Sequence, residues 1–304
     1  MMSLLQTEIW RVGVINASIQ DVARAPSLEH FPITWIGADK SLCFLADPFG
    51  LWRGGKLYLF AEAYDYRTRR GHIEAFVLDK DFTVLEKRVV LKEDWHLSYP
   101  YVFEAEGEIW MLPEGYKSGR LTLYKAVAFP WRWQAEPRFS FPDAAIDATP
   151  YFHDGRWWMF YTPPAPKAAR TNTLKLATAN HLFGPWNDVP VQTLREDIHG
   201  ARMGGTPFIL DGKLVLPTQD CSRTYGGALQ LLSLSASSLA HPSLSQARRI
   251  EAPSSHAPFN NGLHTLAQAG PVTLIDTKRT ITGSPHRLAI ELIRLGKRGK
   301  KVNT

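Results

Sequence analysis

The chain has 304 residues, a formal net charge of +6, ten tryptophans and two cysteines, Cys43 and Cys221. Two cysteines are too few for a disulfide framework and stand in no metal-ligand spacing, so both are expected to be buried thiols. Hydrophobic residues make up 44% of the chain, enough for a sizeable core, and its basic residues are not interleaved with aromatics in any nucleic-acid-binding module, which sets nucleic acid aside as a partner.

The opening MMSLLQTEIWRVGVIN carries no basic leader and no sustained apolar stretch, and Glu8 interrupts it; it reads as neither a secretory signal nor a membrane span. A cytoplasmic location is the resulting expectation. Within this segment EIWRVGVIN has the composition of a strand. Then a pattern recurs every fifty to fifty-seven residues: DPFGLWRGGKLYLFAE from Asp47, YPYVFEAEGEIWMLPE from Tyr99, TPYFHDGRWWMFYT from Thr149 and TPFILDGKLVLPTQ from Thr206. Each is a hydrophobic run, a glycine turn and a second hydrophobic run. The residue seven after each turn glycine is polar: Glu62, Glu114, Thr162 and Gln219. Further strand-like runs follow each hairpin, among them RGHIEAFVLD, GRLTLYKAV, NTLKLATA and GGALQLLSLS.

A repeat of this length with three or four strands predicts a propeller blade, because radial stacking buries both faces of each small sheet and leaves only short edges exposed. A fifth copy, GLHTLAQAGPVTLIDTKRT from Gly262, keeps a turn glycine at Gly270 and has its polar residue, Asp276, one place early. Helical periodicity is scarce. The predicted architecture is all-β, a five-bladed β-propeller forming one domain over residues 1–290. Both EIWRVGVIN and HRLAIELIRL are expected to be strands that complete the last blade. Residues 291–304 form a basic tail, expected to be disordered, which either solubilises the chain end or makes weak contact with an anionic membrane or a phosphate-bearing substrate.

In a blade the inner strand starts at one rim of the central channel and the second strand ends there. Asp47 opens one inner strand and Glu62 closes its partner, with Glu114, Thr162 and Gln219 at matching places and Asp147 and Asp220 flanking them. Carboxylates converging on a channel mouth supply acid, base and orienting groups; turn caps and rim hydrogen bonds are the alternative use of the same residues. Of the aromatics in these hairpins, Trp157 and Trp158 alternate as blade-packing residues would, leaving Tyr64, Tyr116 and Tyr225 as candidates for sugar stacking. Arg202 and Arg223 are candidates for clamping a carboxylate or phosphate. His264 is an acid–base group, a polar contact or a structural histidine bonded to backbone.

The segments LADPF with LFAEA, SYPYVFE with MLPE, IDATPYFHDGRWWMFY, ARMGGTPF with PTQDCSRTYGG, and GLHT resemble the propeller at the N-terminus of plant glucosamine inositolphosphorylceramide transferases and its bacterial relatives, over roughly residues 35–280. That domain is similar to the propellers of glycoside hydrolase family 43 and the sucrose-acting enzymes. The resemblance implies that Asp47 is the catalytic base and that Asp147, offset by two residues from the proline register, is the nearest match to the second aspartate, which orients the site or tunes the acid. The blade-four glutamate that serves those hydrolases as acid is missing. Gln219 and Asp220 stand there instead, so an acid would have to be Asp220, Glu114 or Glu62.

A nucleoside diphosphate leaves as a stabilised anion and needs cations more than a proton, so a single base then suffices. The expected function is therefore glycosyl transfer in glycan or glycolipid assembly, with a sugar or sugar-nucleotide substrate and a glycan acceptor. Asp47, Glu114 and Asp147 are the catalytic set; Glu62, Tyr64, Tyr116, Arg202, Gln219, Asp220, Arg223 and His264 are the substrate-binding set. No metal or other cofactor is expected. An inverting hydrolase is the second reading. A non-catalytic glycan-binding module is the third, since the plant proteins carry a separate transferase domain.

Overall fold

The computed structural model describes residues 6–37, 42–235, 242–283, 285 and 288–290. The chain opens with β1 (Gln6–Ile15), a short helix α1 (Ile19–Arg24) and β2 (Ile33–Ile36). Blade one is β3 (Cys43–Arg53), β4 (Lys56–Asp65), β5 (Arg70–Leu78) and β6 (Val84–Leu91); blade two is β7 (Ser98–Ala105), β8 (Glu108–Glu114), β9 (Tyr124–Ala128) and β10 (Arg132–Ala135). Blade three is β11 (Ile146–His153), β12 (Arg156–Thr162), β13 (Thr173–Ala179) and β14 (Asn187–Glu196), with helix α2 (Ala169–Asn172) between β12 and β13. Blade four is β15 (Phe208–Leu210), β16 (Lys213–Asp220), β17 (Ala228–Ser235) and β18 (Ser243–Ile250), and β19 (Leu266–Ala269) and β20 (Val272–Thr282) begin blade five. Each blade is a four-stranded antiparallel sheet, and together they make the five-bladed propeller.

The hairpins form where the sequence allows two successive residues with positive φ. Gly54–Gly55, Glu106–Gly107, Asp154–Gly155 and Asp211–Gly212 all adopt this conformation, the two-residue turn whose twist matches that of the flanking strands. Side chains then alternate, and the blades pack through large apolar residues such as Phe49, Phe60, Tyr101 and Phe160. Each fully buried Phe contributes about 1.5–3 kcal/mol. Trp157 and Trp158 sit in the core, and Trp157 meets Phe103 of the preceding blade, as expected of blade-packing residues.

Of the two segments expected to complete the last blade, EIWRVGVIN does so as β1. Strand β20 pairs along its length with β1, from Thr273 opposite Ile15 to Thr282 opposite Gln6, and β1 pairs with β2. The N-terminus thus supplies both outer strands of blade five among the described residues; of HRLAIELIRL, residues 288–290 are described and are helical rather than extended. The other positions of that segment and the tail at 291–304 lie outside the described residues. Helix α1 is a further element that the sequence pattern does not announce. It is only six residues long, capped by Ser18, and buries Ile19 and Val22 against Phe208 and Val215 of blade four. Cys221 is buried and Cys43 only partly so; both are free thiols.

Candidate active site

Three inner strands carry the same irregularity at their starts. In β3 two residues, Asp47 and Pro48, stand between the pairs Ala46–Glu62 and Phe49–Phe60; β7 repeats this between Ser98–Glu114 and Tyr101–Leu112, and β11 between Ile146–Thr162 and Thr149–Phe160. The first bulge residue is Asp47, Tyr99 or Asp147, with φ of 50°, 46° and 47°. Left-handed backbone in a non-glycine residue costs energy and marks sites where a side chain is re-aimed; aspartate tolerates it better than most. The bulge therefore puts Asp47 and Asp147 at equivalent positions. Their differing distances to the next proline hide that equivalence in the sequence.

Tyr99, in the same place in blade two, is fully buried. Its hydroxyl meets Thr149 Oγ1 at 2.9 Å and the carbonyl of Gly205 at 3.3 Å, and accepts the Gly205 N–H at 3.2 Å. It ties blades two and three to the segment entering blade four.

Asp47 is 6% exposed. One carboxylate oxygen accepts the Tyr99 N–H at 3.1 Å; the other lies 3.6 Å from His264 Nε2 and 3.4 Å from Thr265 Oγ1. His264 Nδ1 in turn meets Asp276 Oδ2 at 2.8 Å. Asp276 has no exposed surface, and its two oxygens also accept the backbone N–H groups of Asp47, His264 and Thr265. Burial pushes Asp47 up to about 6; His264 and Arg202 pull it down, while Asp147 and Asp276 repel it upward. Burial pulls the His264 imidazole down, but Asp276 and Asp47 more than offset this and leave it raised.

Asp47, His264 and Asp276 bring potential metal-ligating atoms within 4.8 Å of one another. Their hydrogen bonds assign them otherwise. Four N–H groups, that of His264 Nδ1 among them, fill the two oxygens of Asp276, so only two residues keep a donor atom open, fewer than the three protein ligands of a typical catalytic metal centre.

Asp147 is bound by Arg202 Nε at 2.6 Å and by the Gln219 side-chain amide at 3.1 Å, and that same amide donates to the Met203 carbonyl at 2.7 Å. Arg202 and Gln219 thus neutralise and orient Asp147, rather than standing free to clamp a ligand.

Glu62 ends β4 and is pushed well above the usual carboxylate range by burial first, then by repulsion from Asp47, Glu114, Asp147 and Asp276. His96 faces it at 3.6 Å through Nε2 while its Nδ1 accepts the Gly71 N–H at 2.8 Å. Burial, with Lys117 and Arg202 nearby, holds this histidine down at about 4, so it is neutral. Glu114 ends β8, accepts from Ser98 Oγ at 2.9 Å and from the Tyr116 N–H at 2.7 Å, and is pushed up to about 7 by burial and by Asp147. Thr162, the blade-three counterpart, is fully buried, and its hydroxyl has no partner among the described residues.

The structure thus brings Asp47, Glu62, Glu114, Asp147, Arg202, Gln219 and His264 together. Two predicted residues fall outside. Asp220, next along β16, turns to the outer strands of its own blade, where it pairs with Arg249 of β18 and accepts from Ser222 Oγ at 2.6 Å. Burial pushes it up, but the Ser222 and Arg249 bonds bring it below the usual range; that ion pair makes it unfit to be an acid. Arg223 lines a separate cleft on blade four with Asp220, Arg249 and Glu251.

The aromatics stand at the margin. Tyr64 stacks on Phe44 at 4.9 Å and lines a cavity of about 230 Å³ between blades five and one. The Tyr116 ring lies under Arg170, whose NH1 donates to its hydroxyl at 3.1 Å, and Tyr225 lies under Arg202 and edge-on to His264. Asp276, Tyr99 and His96 join the site without having been expected there. Asp276 gives a signal, the early polar residue of the fifth repeat; the EDWH that ends in His96 recurs as EDIH at Glu196–His199, but His199 pairs with Asp197 and is exposed.

Residues 32–248 match the family model for the N-terminal region of glucosamine inositolphosphorylceramide transferase 1. The chain belongs to this family. A relative of that name from Oryza sativa subsp. indica is 38% identical over 196 residues, which is 63% of this chain and 26% of the relative, so the chain spans about a quarter of that protein. Among solved structures, the catalytic domain of a glycoside hydrolase family 62 α-L-arabinofuranosidase from Coprinopsis cinerea superposes with a TM-score of 0.55 at 11% identity, covering 80% of this chain and 93% of that one. A family 43 β-1,3-galactosidase bound to galactodeoxynojirimycin gives 0.54 at 10% identity, covering 72% and 83%. At such identities the likeness speaks for the fold. With the family match, it makes this a carbohydrate-related propeller.

Proposed function

We propose that this propeller is a carbohydrate-active enzyme of glycan or glycolipid assembly, transferring a glycosyl group from an activated donor to a hydroxyl acceptor with Asp47 as base. The observation that carries the reading is the end of β16. Gln219 stands where the resemblance calls for the hydrolases' acidic glutamate, and its amide is committed to Asp147 and the Met203 carbonyl. A site with a base but no acid in that blade suits a donor whose leaving group departs as an anion. Asp47 takes the acceptor's hydroxyl proton, the freed oxygen bonds to the anomeric carbon, and the bond to the leaving group breaks with its electron pair.

Glu62, Glu114 and Asp147 shape the pocket, and Arg202 balances the charge of Asp147. The rice relative's name supplies the acceptor class carried over here, a phosphorylated lipid. No helix among the described residues is long and apolar enough to cross a membrane. Action in the cytoplasm, and contact of the basic tail with anionic lipid, belong to this proposal as well.

A second reading rests on Glu114, whose carboxyl at about 7 is half protonated near neutrality and could serve an inverting hydrolase as acid. Screening the purified protein for turnover and thermal stabilisation with nucleotide sugars and with aryl glycosides separates the readings. Transfer from nucleotide sugars supports the proposal, cleavage of aryl glycosides with no response to nucleotides supports the hydrolase, and sugar binding without turnover of either class means a binding module.

A further inference from the structure

His264 stands between two carboxylates. Nδ1 is 2.8 Å from Asp276 Oδ2 and Nε2 is 3.6 Å from Asp47 Oδ1. A neutral imidazole has one donor nitrogen and one acceptor, so it would turn a lone pair toward one of the two carboxylates; only the doubly protonated ring presents N–H to both. Its surroundings suit a cation. The Trp10 ring stacks on it at a centroid distance of 3.7 Å and 14° between planes.

We infer that His264, fixed by Asp276, is a positioning residue that supplies the positive charge keeping Asp47 ionised and aims its carboxylate into the channel. The inference rests on the reading of Asp47 as the base.

The other charges around the pair do not supply this one. Arg202 is committed to Asp147, and Lys278, which lies over the Trp10 ring at 5.2 Å, is wholly buried and bound to Glu8 at 2.6 Å, Thr224 at 3.0 Å and the Tyr225 carbonyl. Asp147 and Asp276 oppose ionisation of Asp47, and Glu62 feels its charge in turn. Among the described residues, His264 is the cation that acts most strongly on Asp47, ahead of Arg202. Asp276 holds its ring by the 2.8 Å bond, and Gly226 closes the space beside it, where an added Cβ would lie 2.7 Å from His264 Cβ.

The test reads protonation directly and needs no substrate. With aspartate labelled at the carboxyl carbon, carbon NMR follows the Asp47 titration in the wild type, His264→Gln and Asp276→Asn. The wild-type midpoint is expected near 6, and loss of an opposite charge at this range should raise it by about one to three pH units in His264→Gln. Asp276→Asn should raise it less, because the loosened imidazole is partly offset by loss of the Asp276 charge, which itself opposes ionisation of Asp47. If turnover is found, the acid limb of its pH profile should move by the same amount, whereas a merely structural role would lower the rate at every pH and leave the limb in place. Nitrogen NMR of the wild-type imidazole is the second measurement, since it survives any failure of a variant to fold; both ring nitrogens should carry protons at pH 6. An unmoved Asp47 midpoint in a folded His264→Gln protein, or a singly protonated ring at pH 6, would overturn the inference. Absence of turnover with these titrations as expected would count against the proposed function alone.

Discussion

Replacing Glu114 by glutamine should stabilise the protein, and only on the alkaline side. An ordinary glutamate titrates at 4.5, but the folded protein holds Glu114 at about 7 through burial and the nearby Asp147. Between those values the folded state keeps a proton that the unfolded chain releases. Wild-type stability therefore falls as pH rises from about 4.5 through about 7; at about 1.4 kcal/mol per pH unit the loss from this residue totals roughly 3 kcal/mol. Glutamine keeps an oxygen for the Tyr116 N–H and turns an amide toward Ser98 Oγ, which can accept, so both hydrogen bonds survive. Urea unfolding of wild type and Glu114→Gln at pH 5, 6, 7 and 8 measures the effect. The gap should be small at pH 5 and open to roughly 3 kcal/mol in the variant's favour at pH 8. Asp47 and Glu62 titrate in both proteins and largely cancel. A gap of the same size at pH 5 and pH 8 would refute the assignment of a raised proton affinity to Glu114.

Gly205 has φ of 144°, and a Cβ added there would lie 1.8 Å from the Leu266 carbonyl oxygen, so Gly205→Ala should cost more than about 3 kcal/mol or prevent folding; a thermal melt like wild type would contradict this. Tyr99→Phe removes the hydroxyl that bonds Thr149 and Gly205, leaves their groups buried without it, and should cost about 1–3 kcal/mol in urea unfolding. An unchanged midpoint would mean the channel tie carries no weight. Gln219→Glu puts a carboxyl where the amide now sits 3.1 Å from Asp147, so stability should drop with rising pH more steeply than in wild type, and the protonated form would offer an acid for hydrolysis of unactivated glycosides. Equal pH slopes in the two proteins would show that the two groups do not meet.

Much of this molecule is legible in its sequence because turns and strand alternation are local. Gly55, Gly107, Gly155 and Gly212 announce the hairpins, and a count of seven residues from each finds Glu62, Glu114, Thr162 and Gln219 at strand ends. The site is only half legible, because it depends on where side chains turn after the backbone is placed. Gln219 and Asp220 are adjacent in β16, yet strand alternation sends one to Asp147 and the other to Arg249. Neither destination can be read from the pair itself, since both partners come from distant stretches of chain. The same limit applies to His96, whose EDWH recurs as EDIH at Glu196–His199 with only the first of the two histidines turned to the site, and to Asp276, whose early place in the fifth repeat becomes meaningful only once β20 sets it beside His264 and Asp47. Ring closure is misleading in the sequence because β2 is just four residues long and its pairing with β1 spans an intervening helix, while HRLAIELIRL carries the stronger apolar run.

The central claim is that Asp47 performs chemistry in the channel, and Asp47→Asn tests it most directly. The amide keeps the size of the side chain and can still accept the Tyr99 N–H, but it cannot take a proton. With the donor class identified by the screen, and at a pH above about 6 where the wild-type carboxylate is ionised, turnover by the variant should fall by roughly two orders of magnitude or more while its thermal melt stays close to that of the wild type. Undiminished turnover by a folded Asp47→Asn protein would contradict the account.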